Sequence, residues 1–136
     1  MTSSTVEPGQ QLHDFYQRYL DLVSSYDFDR LDECIHDIVN FNGMSIARDD
    51  LIAGFRGNIA AVPDLSWKVE DLLIDGNRIA VRFTMAGTPV QEWLGLKPNG
   101  ARVTFAEMAF YEVEEGRFKT IRSLMDMDSL RAQLLP

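Results

Sequence analysis

Apolar positions recur at two different periods along the chain, and the switch between them divides it into a helical first third and a strand-rich remainder. Leu12, Phe15, Tyr16, Tyr19, Leu22, Val23 and Tyr26 are spaced by three and four, which predicts an amphipathic helix of about four turns. Asp27 then stands where it can cap a second, short helix carrying Phe28, Leu31 and Ile35. The segment "DIVNFNG" alternates and is rich in β-branched and aromatic residues, so it reads as a strand ending at Gly43. A third helix is predicted from Asp49 and Asp50, whose carboxylates favour a helix start, through Leu51, Phe55, Ile59 and Val62 to the stop at Pro63. Gly54 and Gly57 weaken it and suggest close packing or mobility.

From there the period is two. "LSWKVEDLLI" and "RIAVRFTMAGT" are strands joined by the turn "DGN", and "ARVTFAEMAFYEV" and "FKTIRSLMD" are strands joined by "EEGR". A short helix over residues 129–134 closes the chain. Helices first and antiparallel strands last make an α+β class, with a curved antiparallel sheet wrapped by the N-terminal helices into a cone whose mouth is the natural pocket. The single domain is placed at residues 10–135, with residues 1–9 as a loose tail.

Composition narrows the function. The chain has 136 residues, 46% of them apolar, and no apolar run approaches the roughly 20 residues of a membrane span. Its first residues lack the basic start and apolar core of a signal peptide, which makes the cytoplasm the expected location. A net charge of −8 repels phosphate backbones and anionic lipid, so neither nucleic acid nor a membrane surface is expected as partner. The single Cys34 is read as a buried apolar residue, and two histidines, His13 and His36, are too few for a classical zinc site; no metal is expected.

Three stretches carry a resemblance to a known family: residues 63–88, then "EWLGLKPNGARVTF", then "EGRFKTIRSLMDMDSLRAQL". Together they resemble the SnoaL-like polyketide cyclases (ester cyclases) of the nuclear transport factor 2-like superfamily. That family's run of an aromatic or acidic residue, Leu-Gly-Leu, a proline, a glycine turn and a Val-x-Phe strand is matched by residues 92–105. The resemblance implies a cone-shaped α+β barrel and a loop carrying Trp93 and Leu96 folded over an apolar cavity. It also implies an association into homodimers or homotetramers, and ring closure of a carbonyl-bearing polyketide without metal or cofactor.

Such an aldol reaction needs a base for an acidic C–H and a donor at the carbonyl that becomes an alkoxide. The family's aspartate near the end of the last strand corresponds in "SLMDMD" to Asp126, with Asp128 as the neighbouring alternative; either can instead cap the helix that follows. Glu107 shares one face of its strand with Phe105, Ala109 and Tyr111, so it lies in the pocket or pairs with an arginine such as Arg82 or Arg122. Asp126 and Glu107 are therefore the catalytic candidates. Tyr16, Tyr19, Asn40, Asn42, Phe83, Trp93, Leu96 and Ser123 are the candidate substrate contacts.

"QRYLDLV" is also similar to the first helix of ketosteroid isomerases, where a tyrosine donates to the substrate; Tyr19 falls there, but Asn42 stands where their aspartate base would be. Two further departures are Pro89, where many ester-cyclase relatives have histidine, and Ile121 and Arg122, where they have histidine or tryptophan. The expected ligand is a mid-sized apolar carbonyl compound. An isomerase, hydratase or epoxide hydrolase, the last needing an Asp-Arg-Asn set around a water, is the alternative, and a non-catalytic binding or oligomerisation module is a third.

Overall fold

The structure, a computed structural model, describes residues 8–135. The first helix, α1 (Pro8–Ser24), already includes Pro8 and Gly9, so it starts inside the expected tail; the remainder of that tail lies outside the described residues. The outer side of α1 carries Gln10–Asp14 and Gln17–Asp21 hydrogen bonds, of 2.8 and 3.1 Å, while Tyr16, Tyr19, Leu22 and Val23 are buried. It ends in a left-handed residue, Tyr26 (φ 60°), whose amide reaches the Val23 carbonyl while that of Asp27 reaches Leu22. Glycine usually takes this position. Here the tyrosine is held by its hydroxyl, which donates to the Leu65 carbonyl at 2.7 Å, and by stacking on Phe28.

A 3-10 helix follows over Phe28–Glu33, without a side-chain cap from Asp27, and Ile35 belongs not to it but to the first strand. The strands are β1 (Ile35–Phe41), β2 (Met44–Ala47), β3 (Ser66–Asp75), β4 (Arg78–Gly87), β5 (Val103–Glu114) and β6 (Arg117–Met125). Helix α2 (Arg48–Ala61) stands between β2 and β3, and α3 (Met127–Gln133) closes the chain. The four-residue β2 was not legible as a strand; it pairs with β1 across a turn at Asn42 and Gly43, both with positive φ.

One six-stranded sheet results, in the order β2-β1-β6-β5-β4-β3. It is α+β as expected, curved but not closed into a barrel, and one of its pairings, β1 with β6, is parallel. The two-residue period sorts the side chains. Ile79, Val81, Phe83 and Met85 of β4 and Val103, Phe105, Ala109 and Tyr111 of β5 point inward to the helices and are buried. On the outer face Leu73, Met108, Phe110 and Leu124 remain exposed, between an Arg82–Asp71 pair at 2.8 Å and an Arg122–Glu112 pair at 3.5 Å. Among the described residues no helix is long and apolar enough to cross a membrane.

The chain leaves β4 at Gly87, where a Cβ would stand 2.4 Å from Val62 Cγ1 and 3.2 Å from the Leu65 backbone. This close approach lets the segment after α2 seat against the end of β4, and Val62, Leu65 and Met85 are all buried around it. Gly87→Ala must push that segment away. We expect it to destabilise the fold by about 1–3 kcal/mol, read as a lower urea midpoint at unchanged slope.

Candidate active site

Between the inner sheet face and helices α1 and α2 lies a cavity of about 260 Å³. Helix α1 contributes Tyr19, Leu20 and Val23, and α2 contributes Asp50, Leu51, Gly54, Phe55 and Asn58. The second set is one face of a helix, at spacings of three and four. The sheet supplies Phe83 and Met85 from β4, Glu107, Ala109 and Tyr111 from β5, and Ile121, Ser123 and Met125 from β6. Asp50 and Gly54 are solvent-exposed as well as lining, so the cavity meets solvent along that edge of α2.

Glu107 is the one charged side chain among the buried residues described, at 9% exposure. Its strand neighbours in register are Phe83 on β4 and Met125 on β6, both of which line the cavity too. Neither arginine considered as its partner reaches it: Arg82 is paired with Asp71 and Arg122 with Glu112, on the other face. Burial without a cation pushes the Glu107 carboxyl up to about 7, against a weaker downward pull from the Ser123 hydroxyl.

Three tyrosines crowd behind it. The hydroxyls of Tyr16 and Tyr111 are 2.9 Å apart, and the Tyr19 ring stands edge-on to Tyr111 at 6.1 Å. All three phenols are held well above their ordinary pKa, chiefly by burial. They are therefore protonated donors at neutral pH. Tyr19 and Tyr111 line the cavity; Tyr16, a candidate contact from the sequence, does not, and sits behind them completely buried.

Trp93 is the wall that the 88–102 segment supplies. Trp93 and Leu96 exchange backbone hydrogen bonds of 2.9 Å each way, around a two-residue turn in which Leu94 (φ 53°) and Gly95 (φ 79°) are both left-handed. This small hairpin turns the indole inward. Its Nε1–H donates to the Asn58 Oδ1 on α2 at 3.0 Å, and its ring packs on Phe105 at 5.7 Å. Leu96 packs against the core edge and does not line the cavity, contrary to expectation.

The other candidates are placed elsewhere. Asp126 is exposed and caps α3, accepting from the Ser129 amide at 3.1 Å; Asp128 is exposed in the first turn of that helix and pairs with Arg131. Neither lines the cavity. Asn40 accepts from the Gly43 amide at 3.0 Å and so ties its own turn, while Asn42, beyond the end of β1, accepts from the Ser123 amide at 2.9 Å. Asn42 thus positions β6 from outside the cavity. His36 bonds the Glu114 carbonyl at 2.6 Å, and Cys34 is fully buried in the core. Glu107, Tyr19, Phe83, Trp93 and Ser123 are brought together. Asp50, Asn58 and Trp67 join them without having been singled out; the signal for the first two was the helix face shared with Leu51 and Phe55.

An open curved sheet with helices over its inner face, enclosing an apolar cavity with a buried carboxylate, defines an α+β cone of the nuclear transport factor 2-like kind. The profile of the SnoaL-like polyketide cyclases matches residues 13–134, and the chain belongs to that family. A SnoaL-like polyketide cyclase from Agrobacterium tumefaciens is 31% identical, with a TM-score of 0.85, covering 91% of this chain and 98% of that one. TsrD from Streptomyces laurentii is similar in fold at 23% identity and a TM-score of 0.84, over 96% and 98% of the two chains. IdmH from Streptomyces antibioticus is similar in fold at 22% identity and a TM-score of 0.80, over 91% and 98%. No curated protein sequence matches the chain significantly.

The raised Glu107 pKa has a stability consequence of definite sign. Below pH 4.5 the group is neutral folded or unfolded; as pH climbs toward 7 only the unfolded chain ionises freely, and stability falls. Above about 7 the penalty is complete, at roughly 3 kcal/mol. Glu107→Gln is expected to match the wild type in denaturant near pH 4, gain on it up to about pH 7, and hold a constant advantage above.

Proposed function

We propose that the protein is a cyclase-type enzyme that moves protons on a mid-sized apolar carbonyl substrate without a cofactor, with Glu107 as its acid/base group. The single observation behind this reading is a carboxyl buried in an apolar cavity, with no cation beside it and a pKa of about 7. Near neutral pH such a group is present in both forms, so it takes a proton from an acidic C–H and returns one within a turnover. Tyr111 on β5 and Tyr19 on α1 line the same cavity and stay protonated. One of their hydroxyls donates to the substrate carbonyl as negative charge develops on its oxygen. If that donor is Tyr111, the Tyr16 hydroxyl at 2.9 Å supplies a second bond behind it. Ser123 steadies the ionised carboxylate, and Phe83, Trp93 and Met125 exclude water. Isomerisation draws on the same parts. The hydrolase alternative has less support, because among the described residues no arginine lines the cavity beside Asp50 and Asn58.

Exchange of the α-hydrogens of 1,3-dicarbonyl aromatic esters into D₂O, followed by NMR, tests the assignment before any product is known. Glu107→Gln should slow exchange by about 10²–10⁴-fold. Asp126→Asn should leave the rate intact and the stability nearly so, because asparagine caps a helix as well as aspartate does. Intact exchange in Glu107→Gln would show the assignment to be wrong.

The expected self-association belongs, on this reading, to the outer sheet face. Leu73 and Phe110, with Met108 and Leu124 in the next row, form an apolar centre flanked by charges of both signs, so a second copy related by a twofold axis meets apolar with apolar and acid with base. Phe110→Lys with Leu124→Lys should convert a dimer to a monomer in sedimentation at unchanged helix content; a wild-type monomer would remove the proposal.

A further inference from the structure

The cavity wall is one-sided in charge. Its ionisable carboxylates are Asp50 and Glu107, and among the described residues no lysine, arginine or histidine lines it. An anion entering it would lose water and meet no cation. A cation would find a carboxylate at the mouth and the aromatic faces of Phe41, Phe55 and Trp67 within.

Helix α2 leaves room beside the mouth. Asp50, Gly54 and Asn58 follow at steps of four along the lining face, so each stands one turn above the last. Gly54, in mid-helix, costs stability relative to alanine, and a Cβ added there would have no heavy atom within 4 Å. The missing side chain is therefore a notch rather than a packing requirement, and it lies between a carboxylate and the amide that anchors Trp93. Among the described residues Asp50 has no ion-pair partner, as is also true of Asp49, Asp64 and Asp75; what sets it apart from these is that it lines the cavity. Asp49 and Asp50 share the first turn with Arg48, whose guanidinium donates to the Ile35 carbonyl and pairs with neither of them. Deeper in, Glu107 is a second carboxylate, nine-tenths buried, aimed into the same space without a cation.

We propose that this cavity takes an apolar, carbonyl-bearing ligand with a protonated amine, the ammonium seated at Asp50 in the Gly54 notch, and rejects ligands that bring in a free carboxylate. The inference rests on the reading that the cavity is the substrate site, but not on Glu107 being the base.

Three probes of one shape separate the charges: 2-(2-naphthyl)ethylamine, methyl 2-naphthylacetate and 2-naphthylacetate, titrated against the quenching of tryptophan fluorescence at about pH 6, where Glu107 is mostly neutral. The amine should bind about tenfold more tightly than the ester, and the carboxylate more weakly than either. Asp50→Asn should erase the amine's advantage and leave the ester unchanged. Gly54→Leu should raise Tm, since the position is open helix, yet weaken the amine by about tenfold. The proposal is overturned if the carboxylate binds as well as the ester, if Asp50→Asn preserves the amine-to-ester ratio, or if the amine does not bind. Failure of the exchange test would leave these affinities untouched, so the two readings fail separately.

Discussion

Strand β5 is paired along its length on both sides, to β4 from Val103 to Glu112 and to β6 from Glu107 to Glu114. Side chains alternate, so the register of this one strand decides which set faces the helices. In the observed register Val103, Phe105, Glu107, Ala109, Tyr111 and Val113 go inside, and Met108 and Phe110 go out. Five apolar residues thus carry a single carboxyl into the interior. A slip of one residue would return Glu107 to water at the cost of exposing Phe105, Tyr111 and Val113. At about 25 cal/mol per Å² that exposure outweighs the roughly 3 kcal/mol of an ionised, buried glutamate. The acid survives in the core because its neighbours are too costly to turn outward.

The rest of the site follows from that constraint. Tyr111 is fixed four residues along the same face, where Tyr16 can reach its hydroxyl, and this places α1 over the sheet. Phe105 is fixed two residues the other way and gives Trp93 a surface to lie on. The small Trp93–Leu96 hairpin accepts a left-handed Leu94, a conformation that costs a non-glycine residue about 1 kcal/mol or more, and Trp93 then spans from the sheet to Asn58 on α2. The loop carrying Trp93 and Leu96 is a strut between layers as much as a cavity wall.

Where period alone decides, the sequence was transparent. The helix stripe of α1, the hairpins at Gly76 and Gly116, and the inward aspect of Glu107 are all visible in the alternation of residues. Where one residue has two local roles, it was not. Asp126 ends a strand and begins a helix, and the helix claims it because the Ser129 amide is a close unsatisfied donor. Asn42 continues the alternation of β1, but Asn-Gly is also the strongest short turn signal, and the turn won. The parallel contact between β1 and β6 joins segments some eighty residues apart and leaves no local trace.

Asp50 and Asn58 illustrate a different limit. On a helix of alternating small and apolar residues, a polar side chain beside the stripe reads as solvated, and an acid in the first turn is already explained by the dipole. Only the placement of α2 across the cavity turns that face inward. The consequence reaches beyond α2. On the proposed function, the residues most easily found from sequence, Glu107 and the tyrosines, are the ones that would act on a bound molecule. On the proposed ligand preference, the residues least easily found, on α2, would select the charge of that molecule. If both readings hold, the acid/base group on β5 and the selecting face of α2 can change independently, because β5 is locked by pairing on both sides while a side chain added at Gly54 of α2 would meet no neighbour.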